Sequence, residues 1–348
     1  MGGGGWDVGT YDASVSAAKT AGKSVFDYSS RVTSGRAAAK VHDLLDPKKL
    51  NTVGKNVREA LDSAEHPNAT PIAVLFDVTG SMRDIPMVLQ EKLPQLHGLL
   101  QRKGYVEDPQ ILFGAIGDAT SDRLPLQVGQ FESDNRMDEA LTNIVLEGGG
   151  GGGNHESYEL AAYYMARHVD LDANKRGRKG YLFFIGDERL YARIDRRQVK
   201  ELIGDTLQED LTTVQIFEEL KAKFDVFFLF ASPNGGYRPE DSLYNGGSPR
   251  GWSSGTDVCY WRDLLGQQAL VLADPSAVCE FIAMQLATAE GGLSVEEAME
   301  DLLAIGADPT STKNAGKALV AAGAGTRSAV AKTEGTLPDV GAGGATRL

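Results

Sequence analysis

Short apolar segments recur along the middle of the chain, separated by longer stretches in which apolar residues appear at helical spacing. The apolar segments cover residues 71–76, 111–117, 124–131, 180–186, 225–231 and 268–273. Continuous apolar runs of this length, bounded by glycine and polar residues, are typical of strands that are buried on both faces of a sheet. The pattern therefore predicts six strands between residues 71 and 273.

The stretches between these strands predict helices. Leu89, Leu93, Leu96 and Leu100 share one helical face after the first strand. Further helices are predicted at residues 136–145, 154–169, 194–204, 212–224, 256–266 and 275–287. The link between the second and third strands is too short for a parallel crossover, so the third strand is expected to be antiparallel. The alternation indicates an α/β fold: a doubly wound, mostly parallel six-stranded sheet with one antiparallel strand and helices on both faces.

The segments on either side of this pattern have a different composition. Residues 1–66 mix small, polar and isolated aromatic residues, which predicts an N-terminal arm that packs on the core, with short helices at 35–47 and 55–63. Residues 67–290 form the predicted α/β domain. Residues 291–348 are expected to form a short helix, started by a capping box of Ser294 and Glu297, and then a weakly ordered tail.

Composition narrows the classes of function. The chain has 35 Lys and Arg against 48 Asp and Glu, a net charge of -13, which argues against a general nucleic-acid binder because such proteins need a basic face. No apolar run is long enough to span a bilayer, and the N-terminus lacks the pattern of a secretory signal. Cys259 and Cys279 have no metal-binding spacing. A cytoplasmic protein with no nucleic-acid or membrane partner is therefore expected.

Polar residues follow the first and fourth predicted strands. The stretch VLFDVTGSM carries Asp77, Thr79 and Ser81, and GDER carries Asp187. A glycine run followed by NHES adds a polar side chain from residues 154–157 at a helix start. In doubly wound sheets the carboxyl ends of the strands meet at a switch point, where ligands bind. An oxygen-rich set with two carboxylates and no cysteine selects Mg²⁺, Mn²⁺ or Ca²⁺ over zinc.

These motifs resemble the metal-ion-dependent adhesion site of von Willebrand factor A (vWA) domains, of the intracellular bacterial and phage type. That family holds a metal with DxSxS after the first strand, a Thr from a second loop and an Asp after the fourth strand. Asp77, Thr79 and Ser81 match the first motif, with Thr for its first Ser, and Asp187 matches the third. The similarity in layout extends over about residues 70–290.

The resemblance implies a binding function and no enzymatic one. In the family, the metal keeps one coordination position for an Asp or Glu of a protein partner. Intracellular members work beside a MoxR-type AAA+ ATPase or within other multiprotein assemblies. The chain is therefore expected to recognise an acidic group on a partner protein in a divalent-metal-dependent way.

The second loop departs from the family pattern, because GGGNHES stands where Thr-rich sequence is usual. Counting back along the following helix gives Glu156 as the ligand, whereas a neutral oxygen would come from Ser157. Glu156 would add a third carboxylate and weaken the hold of the metal on an outside acid. Both residues stay candidates.

Two other functions compete with this one. DVTGS also resembles the DKTGT motif of haloacid-dehalogenase-type phosphohydrolases, in which Asp77 would be a nucleophile on Mg²⁺ and the carboxylates of Asp118 and Asp122 would bind the metal. The short chain between residues 77 and 118 leaves little room for the remaining motifs of that family. The third possibility is a structural subunit of an assembly whose site is empty.

Three further features have plainer interpretations. His155 is interpreted as a surface-loop histidine. Asp118 and Asp122 of GDATSD could form a second acidic site at the neighbouring strand end, and a turn capped by its own aspartates explains them equally well. The six consecutive glycines at 148–153 are interpreted as a loop that lets NHES approach the metal. The long segment 234–255, rich in glycine and aromatic residues, is a second candidate contact surface.

Overall fold

A computed structural model describes residues 5–50, 54–80, 82, 84–102, 104–148, 155–231 and 254–323 of the chain. Its strands are β1 (Arg58–Ala60), β2 (Thr70–Asp77), β3 (Pro109–Ile116), β4 (Leu126–Val128), β5 (Val169–Leu171), β6 (Gly180–Gly186), β7 (Arg193–Ile194), β8 (Leu211–Thr212), β9 (Phe224–Phe230) and β10 (Ala269–Val271).

Its helices are α1 (Val8–Thr20), α2 (Asp27–Thr33), α3 (Ile85–Arg102), α4 (Arg136–Thr142), α5 (Tyr158–Arg167), α6 (Asp172–Lys175), α7 (Arg196–Leu202), α8 (Thr213–Lys223), α9 (Ser254–Leu265), α10 (Val278–Ala289), α11 (Val295–Ala304) and α12 (Pro309–Ala321). Among the described residues, none of the helices combines the length and the apolar character that crossing a bilayer requires.

The central sheet has six strands in the order β10-β9-β6-β2-β3-β4. All neighbouring pairs are parallel except β3 and β4, which are antiparallel. This confirms the predicted doubly wound sheet with one antiparallel strand. The chain leaves β2 toward β3 on one side and later continues from β6 toward β9 on the other, so the switch point lies between β2 and β6.

Two apolar layers enclose the sheet, because side chains alternate between the faces of a strand. In β2, Ile72, Val74 and Phe76 pack with the layer that contains α3, α10 and α12. Ala73 and Leu75 face the opposite layer, which contains α5, α8 and α9. Every residue of β2 is buried, which explains why this strand has a continuous apolar sequence.

The N-terminal arm differs from the prediction. Residues 35–47 form turns in place of a helix, and part of 55–63 is strand β1, which pairs in parallel with β5. The cause is a tertiary interaction: the Arg58 side chain is buried and its guanidinium donates to backbone carbonyls elsewhere in the fold. These acceptors are Asp46 O, Lys49 O, Val128 O and Gly129 O. Such hydrogen bonds outweigh a weak local helix propensity.

The arm contacts the core through two aromatic residues near its start. The indole Nε1 of Trp6 donates to both carboxylate oxygens of Asp138 at 3.0 Å. The hydroxyl of Tyr11 donates to the backbone carbonyl of Gln90 in α3. Tyr11 lies in α1, and neither α1 nor the following α2 was predicted by the apolar pattern.

The C-terminal region contains more helix than predicted. The capping box of Ser294 and Glu297 starts α11 as expected. Helix α12 follows it, with the Asp308 side chain accepting from Ser311 N and proline at its first position. Leu319 of α12 is fully buried in the layer that also contains α10 and α11. The remaining tail, residues 324–348, lies outside the described residues.

Replacing the capping serine should weaken α11 measurably. In Ser294→Ala the amide N–H of Glu297 loses the hydroxyl acceptor that lies at 3.2 Å. We expect the free energy of unfolding to fall by about 1 kcal/mol, the usual value for a lost N-cap. Urea denaturation followed by circular dichroism measures it. Glu296→Ala, in the same helical turn but outside the capping box, is the control; equal losses in both variants would contradict the assignment.

Candidate functional site

The carboxyl ends of β2 and β6 lie side by side and carry two of the predicted site residues. Phe76 of β2 pairs with Ile185 of β6, so Asp77 ends one strand where Gly186 ends the other. Asp187 follows directly, and its charge contributes to raising the pKa of the Asp77 carboxyl. The two acids therefore lie within electrostatic range of each other at the switch point of the sheet.

Asp77 is fully buried and its carboxylate is held on both sides. Its Oδ1 accepts from the amide N–H and from the hydroxyl of Thr79, both at 2.6 Å. Its Oδ2 accepts from the hydroxyl of Tyr158 at 3.4 Å. Burial, opposed by the Thr79 bonds and assisted by Asp187, raises the pKa of Asp77 to about 7. Among the described residues, no basic side chain pairs with this carboxylate.

Glu156 is a second buried acid, within electrostatic range of Asp77. Its side chain is buried, and its Oε2 has no hydrogen-bond partner among the described residues. Burial raises the pKa of Glu156 to about 10, with further contributions from the charges of Asp77 and Glu188. The backbone of Glu156 is fixed, because its N–H donates to the carbonyl of Arg189 at 2.8 Å. An unpartnered carboxyl oxygen is thus held near Asp77.

Ser157 is held differently from its neighbour. Its hydroxyl accepts from the amide N–H of Ala119 at 2.9 Å, and its own N–H donates to the carbonyl of Gly117 at 3.1 Å. Ser157 therefore joins the second loop to the end of β3, and one lone pair of its oxygen is already used. Ser81, Asn154 and the glycines 149–153 lie outside the described residues.

Two aromatic residues at this site were not predicted from the sequence. Tyr158 was interpreted as helix and Trp261 as part of another helix, yet both are fully buried beside the acids. The indole Nε1 of Trp261 donates to the carbonyl of Glu188 at 2.9 Å. The signal that could have revealed Tyr158 is Gly186: a Cβ at that position would lie 1.7 Å from the Tyr158 hydroxyl, so only glycine fits.

The loop GDATSD satisfies its own carboxylates, as its plainer interpretation predicts. Asp118 accepts from the N–H of Thr120 at 2.9 Å, from the Thr120 hydroxyl at 2.7 Å and from the hydroxyl of Tyr191 at 3.0 Å. Asp122 accepts from the N–H of Asp118 at 2.8 Å. His155 stacks on the Tyr191 ring with centroids 5.1 Å apart. Most of the second candidate contact surface, 234–255, lies outside the described residues.

The side chains at this site can be compared with the ligands that a divalent metal ion requires. In the part of the chain that the structure describes, no three His, Cys, Asp or Glu side chains are grouped as metal ligands. The predicted set relies on hydroxyls as well as carboxylates, and one of them, Ser81, is outside the described residues. The oxygen donors of Asp77 and Glu156 fit a hard cation, because Glu156 Oε2 has no hydrogen-bond partner among the described residues and a positive charge would favour the ionised form of both acids.

Comparison with known proteins adds the following. No family model and no curated protein matches the chain. A crystal structure of the pilus adhesin SpaC from Lactobacillus rhamnosus GG in its open conformation is similar at 9% identity and a TM-score of 0.41, over 64% of this chain and 30% of the adhesin. A second structure of SpaC gives 10% identity and a TM-score of 0.41, over 64% and 31%. The chain spans less than a third of the adhesin, and this likeness carries no functional argument.

Proposed function

We propose that this protein is a divalent-cation-dependent protein-binding module of the vWA type. Asp77, Thr79, Ser81 and Asp187 would hold Mg²⁺, Mn²⁺ or Ca²⁺, with a further oxygen from Glu156 or Ser157. The observation that supports this function best is the pair of buried acids Asp77 and Glu156, which lie within electrostatic range of each other. Both are buried acids, and for both the pKa is raised, to about 7 and about 10.

The energetic argument concerns the cost of burying two acids together. One pKa unit corresponds to about 1.4 kcal/mol, so burial disfavours the ionised form of each carboxyl by several kcal/mol relative to an exposed one. Without a cation, the two buried carboxylates destabilise the fold. A bound divalent cation would attract both carboxylates and offset that destabilisation. Oxygen donors without cysteine favour Mg²⁺, Mn²⁺ or Ca²⁺.

The second-loop oxygen is better supplied by Glu156 than by Ser157. The Oε2 of Glu156 lacks a partner among the described residues, whereas the hydroxyl of Ser157 already accepts from Ala119 N–H. When bound, the cation supplies one open position for a carboxylate oxygen of a partner. With Asp77, Glu156 and Asp187 all ionised, the site would keep a negative net charge, so the contact with a partner acid would be of modest strength. Ser157 as the ligand would make that contact stronger.

The partner class follows from the open position and from the family resemblance. An Asp or Glu side chain on another protein would complete the coordination, and a MoxR-type AAA+ ATPase or another assembly subunit in the cytoplasm is the expected partner. No observation favours the phosphohydrolase: the carboxylate of Asp118 is engaged by Thr120 and Tyr191. The structural subunit with an empty site would show no response to cations.

The proposal predicts chelator-sensitive capture of a protein partner. Immobilised wild-type protein is incubated with native lysate in Mg²⁺ or in excess chelator, and the bound proteins are identified by mass spectrometry. We expect a partner that elutes with chelator, and that neither the chelated protein nor an Asp77→Asn bait captures. A parallel assay with a generic phosphatase substrate and Mg²⁺ tests the enzymatic alternative. Turnover that disappears in Asp77→Asn would refute the binding function.

A further inference from the structure

We infer that Tyr158 and Trp261 are positioning residues that set the separation between Asp77 and Asp187, and thereby select the size of the cation. The inference rests on the proposed function and deepens it. The metal ligands themselves are acids and hydroxyls; these two aromatic residues would act through them.

Tyr158 fixes the Asp77 side of the site. Its hydroxyl donates to Asp77 Oδ2 at 3.4 Å, on the opposite side from the two bonds of Thr79. Its ring is fully buried and packs edge-on against Phe184, with centroids 6.2 Å apart, and against Phe228, at 5.6 Å. A phenol held in such a close-packed cage has no alternative rotamer without displacing its neighbours.

Trp261 fixes the Asp187 side. Its Nε1 donates to the carbonyl of Glu188, the residue after Asp187, at 2.9 Å. Its ring is fully buried and stacks on Phe228, with centroids 3.9 Å apart and an interplanar angle of 11°. Trp261 also meets the Tyr158 ring edge-on at 5.2 Å. The Asp77 carboxylate and the backbone directly after Asp187 are therefore each hydrogen-bonded to one member of the same pair of aromatic rings.

Gly186 removes the remaining freedom of the Tyr158 hydroxyl. The hydroxyl oxygen lies where a Cβ of residue 186 would stand, at 1.7 Å, so the phenol rests directly against the end of β6. The hydroxyl is thus lodged between the ends of β2 and β6. Since Mg²⁺ requires oxygens at about 2.1 Å and Ca²⁺ accepts about 2.3–2.6 Å in looser geometry, a rigid spacing discriminates between the ions.

The Tyr158 hydroxyl contacts the candidate ligand Asp77 and is not itself a member of the proposed ligand set. A donor that supports a ligand from outside the coordination shell is the usual kind of second contact around metal sites.

The test compares two tyrosines of one helix. Tyr158→Phe keeps the packed ring and removes only the hydroxyl. Tyr163→Phe is the matched control, because Tyr163 lies on the same helix and its hydroxyl donates to Asp205 at 2.6 Å, away from the acids. Dissociation constants for Mg²⁺ and Ca²⁺ are measured by calorimetry on chelator-treated protein, and the unfolding temperature of the chelated state is recorded for each variant.

We expect Tyr158→Phe to weaken binding of the preferred cation by about 10- to 100-fold. The ratio of the dissociation constants for Mg²⁺ and Ca²⁺ should then move closer to 1. Tyr163→Phe should change neither. Trp261→Phe, which removes the donor to Glu188 O, should also move this ratio closer to 1. A ratio that stays at the wild-type value in Tyr158→Phe, while the wild type binds cations, would overturn this inference alone. A wild type that binds neither cation would overturn the proposed function and this inference with it.

Discussion

Asp77→Asn is expected to abolish the stabilisation of this protein by divalent cations. The substitution keeps the shape of the side chain and removes the charge at the centre of the candidate site. A cation at 100 times its dissociation constant stabilises a folded protein by about 2.7 kcal/mol. Thermal unfolding in chelator and in saturating Mg²⁺ measures this difference in wild type and variant. His155→Ala is the control, because that ring stacks on Tyr191 and should leave the cation response nearly intact.

The same variant should change how stability depends on pH in the absence of cations. The pKa of Asp77 is raised from 3.8 to about 7 in the folded protein, by burial above all. Its contribution to stability is therefore fully present below pH of about 4 and is lost as pH rises through about 7. Chelated wild type should lose up to about 4 kcal/mol from this group between pH 4 and pH 9. Asp77→Asn lacks the titrating group, so its stability should vary less over this range.

Urea denaturation at both ends of this pH range, always in chelator, gives the two free energies. If wild type and Asp77→Asn respond equally to Mg²⁺, Asp77 is not a ligand and the proposed site is wrong. If the two proteins respond differently to Mg²⁺ but share one pH profile, the burial of Asp77 is not what controls its charge. The two measurements thus separate cation binding from the electrostatics of the core.

Lys92→Met is expected to destabilise the fold by about 3–5 kcal/mol, because it leaves the buried carboxylate of Glu280 without the lysine ammonium that pairs with it. Lys92 of α3 donates to Glu280 Oε1 and to the carbonyl of Ser276, both at 2.5 Å. The Glu280 side chain is only 1% exposed, and its Oε2 has no hydrogen-bond partner among the described residues. Burial raises the pKa of Glu280, opposed by its bond to Lys92. The pair therefore joins α3 to α10 beneath the surface.

Two comparisons isolate this effect, again by urea denaturation. The double variant Lys92→Met with Glu280→Leu removes both charges and should recover most of the loss, because replacing a buried ion pair by apolar groups is often neutral. Lys175→Met breaks an exposed pair, Lys175 with Asp172 at 2.7 Å, and should cost less than about 1 kcal/mol. A double variant as unstable as Lys92→Met would show that packing, and not the unpaired charge, dominates.

The central sheet could be predicted because its strands carry their own signal. In β6 the predicted span 180–186 is the observed one, Gly180–Gly186, since a strand buried on both faces must be apolar at every position. The antiparallel β4 followed from the length of one link. The arm could not be predicted in this way. Its strand β1 exists because Arg58 reaches carbonyls of distant segments, and no local pattern records those partners.

The candidate site also has some features that the sequence predicts and others that only the tertiary structure shows. The positions of Asp77 and Asp187 at adjacent strand ends follow from sequence and topology alone, because carboxyl ends of parallel strands share one edge. The contribution of Tyr158 and Trp261 does not, since helices α5 and α9 are brought together only by tertiary packing. Gly186 leaves room for the Tyr158 hydroxyl, but this role of the glycine can be recognised only once the position of the tyrosine is known.

The sequence by itself therefore determined the six strands of the central sheet and the main helices between them, the edge of the sheet at which Asp77 and Asp187 lie, and the oxygen character of the candidate donors. These properties depend on hydrophobic periodicity and on residue type, which are local. Only the tertiary structure decided which acids are buried, which oxygen of Glu156 lacks a partner among the described residues, and which aromatic rings pack beside Asp77. Burial, charge interaction and close packing join residues far apart in the chain, and their strength depends on distances in three dimensions.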